Sequence, residues 1–228
     1  MAKREIIFVL VLLLFIASSE QASFDYYQVV FQWQPATCND ITLPTRCVQN
    51  PDNRFSIHGV WPSKTSGSRV GPCNGTAFDP ATIVSIRAGL NQNWPDVIRR
   101  KNQVFWSDEW RKHGTCSEDL LNQLQYFTFG LNIYHDEGKD IVEKLGKKKI
   151  IPNGKKYKKA DVEKAISSVI GKRLGFRCNI DQSNYHQLHE ISFCYAKDAS
   201  TLQDCPSNAT NCPTKFKWSS FKREHVEL

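Results

Sequence analysis

The chain is organised around the run Phe105-Trp106-Ser107-Asp108-Glu109-Trp110-Arg111-Lys112-His113-Gly114-Thr115-Cys116. Its pattern predicts a short helix, with Ser107 as the N-terminal cap and Gly114 as the residue that ends it. Asp108 and Glu109 follow the cap directly, where negative charge favours the first helical turn.

Three functional side chains share one face of this helix, because residues three and four positions apart are neighbours. They are Glu109, Lys112 and His113. The triplet is either the solvated side of an amphipathic helix whose Trp106 and Trp110 face the core, or part of a catalytic site.

A second histidine favours the catalytic interpretation. His58 lies in the segment 54–62, whose aromatic and β-branched residues predict a buried strand that Pro62 ends. Strict alternation along this strand predicts one face made of Ser56, His58 and Val60 and another made of Phe55, Ile57 and Trp61.

Two histidines suit acid–base transfer at a phosphodiester, because the pKa of an imidazole lies near the working pH in both directions. One imidazole takes the proton of an attacking hydroxyl, and the other protonates the leaving oxygen. Lys112 can neutralise charge on the phosphoryl oxygens, and Glu109 can orient an imidazole or hydrogen-bond the phosphorane. No metal or other cofactor is needed if the nucleophile is the ribose 2′-hydroxyl, which makes RNA the expected substrate. The sequence has no phosphate-binding glycine-rich loop, no HExxH motif and no GxSxG motif.

The length and composition fit one globular domain of 228 residues, of which 40% are apolar and 23% charged. Residue patterns predict strands over 24–34, 54–62 and 185–195. They also predict helices from 79 or 80 to about 94, over 118–134, and from a cap at Asp161 to about 173. We therefore expect a single α+β domain.

The N-terminus predicts a secretory signal over residues 1–22, in which Lys3 and Arg4 precede an unbroken apolar run from 6 to 17. That run is short for a membrane span, so we expect a secreted, extracellular protein without a membrane anchor. Eight cysteines agree, because an even number in a secreted chain predicts four disulfides. Sequence alone leaves 105 pairings open, and a zinc cluster is the alternative. Asn74 and Asn208 begin glycosylation sequons.

The formal net charge of +7 is unevenly distributed, because residues 144–177 hold twelve Lys and Arg against two acidic residues. Such a segment is either a solvated surface or a face that concentrates polyanions such as nucleic acid. Both interpretations remain open.

Two blocks closely resemble the active-site blocks of the T-two family of secreted ribonucleases. They are Phe55-Ser56-Ile57-His58-Gly59-Val60-Trp61-Pro62 and the run 105–116. Four shorter blocks also match: Phe24-Asp25-Tyr26-Tyr27, Gln32-Trp33-Gln34-Pro35-Ala36-Thr37-Cys38, Trp94-Pro95 and Ser192-Phe193-Cys194-Tyr195. The resemblance covers residues 24–212. It implies a ribonuclease domain over 23–228, of α+β class, with a central, mostly antiparallel sheet flanked by helices and stapled by disulfides.

The resemblance also implies roles for single residues. His113 would be the general base and His58 the general acid for cleavage to a 2′,3′-cyclic phosphate, with Glu109 and Lys112 stabilising the pentacovalent state. The positions where family members hold the base and phosphate are here Gln32, Asp96, Val97, Ile98 and Phe105. A base could stack on the Phe105 ring. The histidines of the strand 185–195, His186 and His189, are expected to be structural or exposed.

The family's disulfide pattern implies the pairs Cys38–Cys47, Cys73–Cys116, Cys178–Cys212 and Cys194–Cys205. The chain departs from the family pattern at Asp108, where many members carry a third histidine that assists substrate binding.

Among its relatives, the chain looks most like the self-incompatibility ribonucleases of plants, the S-RNases. It is basic, has eight cysteines, and carries a loop at 63–75 where those proteins vary. This likeness implies a monomeric enzyme of pollen rejection that meets a pollen-side recognition protein of the F-box class. The alternatives are an S-like ribonuclease of phosphate scavenging or defence, and a non-catalytic secreted protein that binds RNA or glycans.

Overall fold

The structure, a computed structural model, describes residues 24–221. The predicted signal segment lies outside the described residues, so its cleavage stays a prediction. The described chain forms a seven-stranded sheet with helices packed against it.

Seven strands build the sheet: β1 (Tyr26–Trp33), β2 (Phe55–Ser63), β3 (Lys156–Lys158), β4 (Gly175–Ile180), β5 (His186–Ala196), β6 (Leu202–Gln203) and β7 (Lys215–Lys217). Their order is β2-β1-β5-β7-β3, and β4 and β6 also pair with β5. Among the described strands every pairing is antiparallel except the short one between β5 and β7. The strands predicted at 54–62, 24–34 and 185–195 are thus three adjacent strands, and the expected mostly antiparallel α+β fold is confirmed.

Six α-helices accompany the sheet in the described chain: α1 (Gln34–Cys38), α2 (Arg87–Asn93), α3 (Asn102–Lys112), α4 (Gln123–Ile133), α5 (Ile141–Gly146) and α6 (Lys159–Ile170). Within residues 24–221, none of them is long and apolar enough to cross a bilayer.

The prediction that Ser107 caps α3 is wrong, because the helix begins more than a turn earlier, at Asn102. Tertiary hydrogen bonds hold this early start. Asn102 Oδ1 accepts from the backbone N–H of Asp96 at 2.9 Å, and Trp106 Nε1 donates to the Trp94 carbonyl at 2.7 Å. The capping pattern at Ser107 carried no information about these distant partners.

Three other helix starts also differ from prediction. The helix α4 starts after Asn122 rather than at 118, because Asn122 and Gln125 form a reciprocal capping box. The helix α6 starts before Asp161, which lies in the first turn and is not the cap. The first half of the helix predicted at 79–94 is a turn followed by a 3₁₀ segment, Val84–Ile86.

Alternate residues of β1 point to opposite faces of the sheet. Tyr27 packs against Phe129 of α4, and Phe31 packs against Tyr134, with ring centroids 5.5 Å apart in both pairs. Burial of each such side chain stabilises the fold by about 2 kcal/mol. The opposite face of β1 presents polar side chains such as Gln32, and the candidate site forms there.

A bulge at His58 interrupts β2. Successive residues of β1 pair with Gly59 and then with Ile57, so His58 is an extra residue in its strand. Beyond the bulge the alternation reverses: Val60 joins Ile57 in the core, and the Trp61 ring lies 5.2 Å from the His58 ring, centroid to centroid. The predicted grouping of Val60 with His58, and of Trp61 with the core face, is therefore wrong. Bulges of this kind commonly re-aim side chains beside active sites.

The described chain contains four disulfides, which are the pairs that the family resemblance implies: Cys38–Cys47, Cys73–Cys116, Cys178–Cys212 and Cys194–Cys205. The second of them ties the loop after β2 to the 3₁₀ turn after α3, so the segments that follow the two predicted histidine blocks are covalently joined.

Candidate active site

His58 is held at both its backbone and its ring. Trp94 Nε1 donates to the His58 carbonyl at 2.9 Å, which fixes the bulge. The ring Nδ1 lies 2.5 Å from Oε1 of Glu190, a residue of β5 that is 4% exposed. Because Nδ1–H donates to this carboxylate, Nε2 is the nitrogen left for a substrate.

The surroundings of His58 and Glu190 favour the charged form of each. Burial alone would lower the pKa of His58, but the charge and hydrogen bond of Glu190 outweigh it, and the pKa is raised above its ordinary value. Burial alone would raise the pKa of Glu190, but the imidazoles of His189 and His58 lower it to about 2. The geometry therefore favours a protonated His58.

His113 has the opposite environment at the C-terminal end of α3. Its backbone N–H donates to the Glu109 carbonyl at 2.9 Å. In the part of the chain that the structure describes, its ring forms no ion pair with a carboxylate. Burial, together with the nearby His58 and Lys112, lowers the pKa of His113 to about 3. His113 is therefore neutral above about pH 3.

The Trp61 indole contacts all three predicted catalytic residues. Its ring centroid lies 5.2 Å from that of His58 and 5.4 Å from that of His113. Its Nε1 donates to Glu109 Oε2 at 3.1 Å. The structure thus brings a strand histidine, a helix histidine and a helix glutamate around one aromatic ring.

Glu109 is buried, and burial raises its pKa above the ordinary value in spite of nearby cations. The carboxylate approaches the backbone of β2 at Gly59. A Cβ at that position would overlap both the Glu109 carboxylate and the Trp61 indole nitrogen. Glycine is required here by space rather than by backbone conformation.

Two predicted substrate-binding residues border the site from α3. The half-buried Phe105 ring lies 6.0 Å from the His58 ring at an interplanar angle of 31°, so it flanks the protonated imidazole. Lys112 is exposed and lines a cavity next to His113.

The remaining predicted binding residues are less exposed to solvent. Gln32 is 4% exposed, and its Oε1 accepts from Thr37 Oγ1 at 3.0 Å. The Asp96 carboxylate accepts from the backbone N–H groups of Ile98 and Arg99 and from Arg99 Nε. Val97 is 3% exposed, and the half-buried Ile98 follows it. Gln32, Asp96 and Val97 are therefore buried, and the side chains of Gln32 and Asp96 form hydrogen bonds within the protein itself.

Sequence reasoning missed Glu190, whereas nothing contradicts the expectation that His189 is structural or exposed. In β5, the pairing with β4 skips His189 and leaves it as an extra residue beside Glu190. His189 is half-buried, its Nε2 lies 3.1 Å from Thr37 Oγ1, and burial lowers its pKa. A glutamate inside an apolar alternating strand was the available signal, but its partner could not be read from the sequence.

Asp108, which replaces the family's third histidine, forms an ion pair with Arg111 at 3.2 Å. It is half-buried on α3, one residue before Glu109. The position therefore carries a negative charge that engages a cation on the cavity wall.

A cavity of about 610 Å³ opens beside His113 and Trp61. Its lining combines the end of β2, the loop after it and the end of α3, and Arg177 of β4 closes one wall. Its charged lining residues are all basic: Lys64, Arg69, Arg111, Lys112 and Arg177. Of the twelve basic residues in 144–177, Arg177 is the one that lines this cavity.

Known proteins resemble this chain over most of its length. The model of the Ribonuclease T2 family matches residues 24–205. Ribonuclease S-7 of Pyrus pyrifolia is 34% identical over 214 residues, covering 91% of this chain and 93% of that protein. Ribonuclease MC of Momordica charantia is 36% identical over 183 residues, covering 80% and 94%. Extracellular ribonuclease LE of Solanum lycopersicum is 32% identical over 206 residues, covering 87% and 88%.

Solved structures agree with this assignment. Ribonuclease MC1 from the seeds of bitter gourd superposes with a TM-score of 0.78 at 35% identity, over 85% of this chain and all of that chain. A variant of RNase MC1 in complex with 5′-UMP gives a TM-score of 0.79 at 35% identity, over 86% of this chain and 98% of that chain. The chain therefore belongs to the Ribonuclease T2 family, and it is an endoribonuclease.

Proposed function

We propose that the protein is a secreted, metal-independent endoribonuclease that cleaves RNA by transphosphorylation to a 2′,3′-cyclic phosphate. The observation that carries this mechanism is that two imidazoles flank the same indole, and that within the described chain only the His58 ring is hydrogen-bonded to a carboxylate, that of Glu190. His58 is raised in pKa by Glu190, whereas the pKa of His113 is about 3. One ring is thus ready to donate a proton and the other to accept one.

In the first step neutral His113 removes the proton of the 2′-hydroxyl, and the freed oxygen attacks phosphorus. Protonated His58 gives its proton to the departing 5′-oxygen. The products are a strand that ends in a 2′,3′-cyclic phosphate and a strand with a free 5′-hydroxyl. Each positioned proton transfer contributes roughly 100- to 10,000-fold. Water then opens the cyclic phosphate with the two roles exchanged, which restores both imidazoles.

Glu109 and Lys112 act on the phosphoryl group between the two rings. Lys112 supplies a positive charge for the oxygens that become more negative as the hydroxyl attacks. The Trp61 indole fixes one oxygen of Glu109 at 3.1 Å, which leaves the other oxygen for the phosphorane.

The decisive experiment compares the wild-type protein with His58→Ala and His113→Ala on a dinucleoside monophosphate. We expect each variant to lose at least about 100-fold in kcat/KM while circular dichroism stays unchanged. His135→Ala is the matched control, because His135 is exposed on the π-helical turn after α4. A wild-type rate in either site variant would refute the mechanism.

Two further assays test substrate class and metal use. The matched 2′-deoxy dinucleotide should not be cleaved, because it lacks the nucleophile. EDTA should leave the rate unchanged, whereas activity that is lost and then restored by zinc would contradict metal independence.

The biological role proposed first is that of a pistil S-RNase in gametophytic self-incompatibility, acting as a monomer and meeting an F-box recognition protein. The similarity to Ribonuclease S-7 of Pyrus pyrifolia and the basic charge support it. The similarity to Extracellular ribonuclease LE, together with residues 1–22, supports secretion. N-terminal sequencing of the extracellular protein tests cleavage of the signal.

An S-like role in phosphate scavenging or defence is the second candidate, and similarity to Ribonuclease MC of Momordica charantia supports it. Transcript confined to the pistil would favour the first role, and transcript induced in leaf or root by phosphate starvation would favour the second. A non-catalytic binding protein is the least supported alternative, because His58, Glu109 and His113 lie around the Trp61 ring and Lys112 lines the cavity beside His113.

A further inference from the structure

The cavity beside His113 carries more positive charge than the scissile phosphate requires. Lys64, Arg69 and Arg177 line it in addition to the two cations of α3. Within residues 24–221 none of these three forms an ion pair. No Asp or Glu of the described chain lines the cavity. Positive charge therefore dominates the lining of the cavity.

The direction of the proposed proton transfers decides which nucleotide lies in this cavity, and in this respect the inference rests on the proposed function. The base, His113, must reach the 2′-hydroxyl, which belongs to the nucleotide on the 5′ side of the scissile bond. The acid, His58, must reach the leaving oxygen on the 3′ side. The cavity borders His113 and Trp61, whereas Phe105 lies beside His58. The nucleotide that supplies the hydroxyl is thus expected in the cavity, where its own 5′-phosphate would meet the basic lining.

Arg177 is available to bind that phosphate. It lies opposite Glu190 in the pairing of β4 with β5, and within residues 24–221 its guanidinium is not within ion-pair distance of that carboxylate. The guanidinium lies over the Trp61 ring, 5.3 Å from its centroid. Such stacking holds the planar donor group in place, and the guanidinium fork matches phosphate oxygens.

The loop that carries Lys64 and Arg69 is tethered close to the sheet. Thr65 donates through its backbone N–H and its hydroxyl to Asp25 Oδ2, at 2.8 and 2.9 Å. Asn208 Nδ2 donates to the Thr65 carbonyl at 2.9 Å. These bonds hold the loop backbone between its two cations, so both line the same space as Arg177.

We propose that Arg177, Lys64 and Arg69 form a phosphate subsite for the backbone phosphate on the 5′ side of the nucleotide that supplies the attacking hydroxyl. Because the subsite binds a phosphate that does not react, it should favour an RNA chain over an isolated dinucleoside monophosphate as the substrate.

The test compares two substrates that differ by one group: a dinucleoside monophosphate and the same compound with a 5′-phosphate. In the wild type we expect the 5′-phosphate to raise kcat/KM about tenfold at low salt, which is the scale of one charge-assisted contact. In Arg177→Gln and in Arg69→Gln this ratio should fall below about threefold. The ratio is taken within each protein, so a change in overall activity does not affect it.

Arg87→Gln is the matched control, because it removes the same charge from an exposed position on α2 that does not line the cavity. It should keep the wild-type ratio. Arg69 is exposed on a loop, so its variant separates the subsite from any folding defect of Arg177→Gln. A ratio near one in the wild type, or an unchanged ratio in both variants, would overturn the subsite.

Binding of the uncleavable 2′-deoxy forms, with and without the 5′-phosphate, separates the two proposals. If the wild type cleaves neither ribose substrate, the proposed function fails, and the dissociation constants of the deoxy compounds still decide the subsite. Equal dissociation constants for the two deoxy forms would refute it.

Discussion

Removal of the charge on Glu190 is the sharpest perturbation of the site, because Glu190→Gln keeps the size of the side chain and an acceptor for His58 Nδ1–H. The carboxylate lies 2.5 Å from Nδ1 and is the main reason that the pKa of His58 is raised against burial. An opposite charge at such a distance typically shifts a pKa by about 1–3 units. In the variant, burial acts without this opposition, so the pKa of His58 should fall by at least about one unit.

The consequence for catalysis follows from the role of His58 as the acid, which must be protonated. The alkaline limb of the kcat/KM profile should move to lower pH by at least about one unit, which is a tenfold loss on that limb. The acidic limb, set by His113, should keep its position. Steady-state rates on a dinucleoside monophosphate from about pH 2 to 9, with an NMR titration of the His58 ring, measure both limbs.

The stability of the fold should respond in a defined pH window. The contribution from Glu190 is present above its unfolded value of 4.5 and is lost as the pH falls through about 2. The contribution from His58 is present below its unfolded value of 6.5 and is lost as the pH rises through its raised folded pKa. Both describe one ion pair, so Glu190→Gln should destabilise most between about pH 4.5 and 6.5.

Glu143→Gln is the control, because Glu143 is an exposed carboxylate paired with Lys147 on the surface. It should change neither the rate profile nor the His58 titration. An unshifted alkaline limb in Glu190→Gln, with the NMR titration of His58 also unchanged, would refute the reasoning that Glu190 sets the acid.

Three other outcomes are expected. Gly59→Ala should lower kcat by at least about 100-fold, because the methyl group of the new alanine would displace the Glu109 carboxylate. A wild-type kcat in this variant would contradict the packing described at this position. In the wild type, kcat/KM should fall on the acidic side only below about pH 3, because His113 becomes protonated there. An acidic limb near pH 6 would show that burial does not lower the pKa of His113. Asp108→Asn should lower KM for RNA about two- to fivefold at low salt, because it releases Arg111 to the substrate, and an unchanged KM would indicate that this ion pair does not restrain the cation.

The sequence was sufficient for the three strands β1, β2 and β5 and for the α+β class, because these depend on local pattern, whereas β3, β4, β6 and β7 were not predicted. Aromatic and β-branched residues identified β1, alternation identified β5, and the spacing of Glu109 and His113 placed them on one turn. The sequence could not supply the register in which neighbouring strands pair. The extra residue at His58 reverses the faces of β2, and that is set by the pairing with β1 rather than by the residues of β2.

Glu190 was missed for the same reason. Its importance comes from the partner across the sheet, and that partner lies far away in the sequence. The early start of α3 is a further case, since Asn102 and Trp106 bond to backbone atoms of the preceding turn. Local propensity at Ser107 was overridden by these tertiary bonds.

The placement of the reacting groups and of the cavity wall on different kinds of structure has an evolutionary consequence. His58 and Glu190 sit on strands of the sheet, and Glu109 and His113 sit on α3 and at its C-terminal end. Lys64 and Arg69 instead belong to a loop held at one end by hydrogen bonds and near the other by the Cys73–Cys116 bridge. On the proposed subsite, substitutions between those anchor points would change which polymers bind while the proposed acid and base stay in place. New preferences can therefore arise by drift in this loop while the reaction itself is inherited intact.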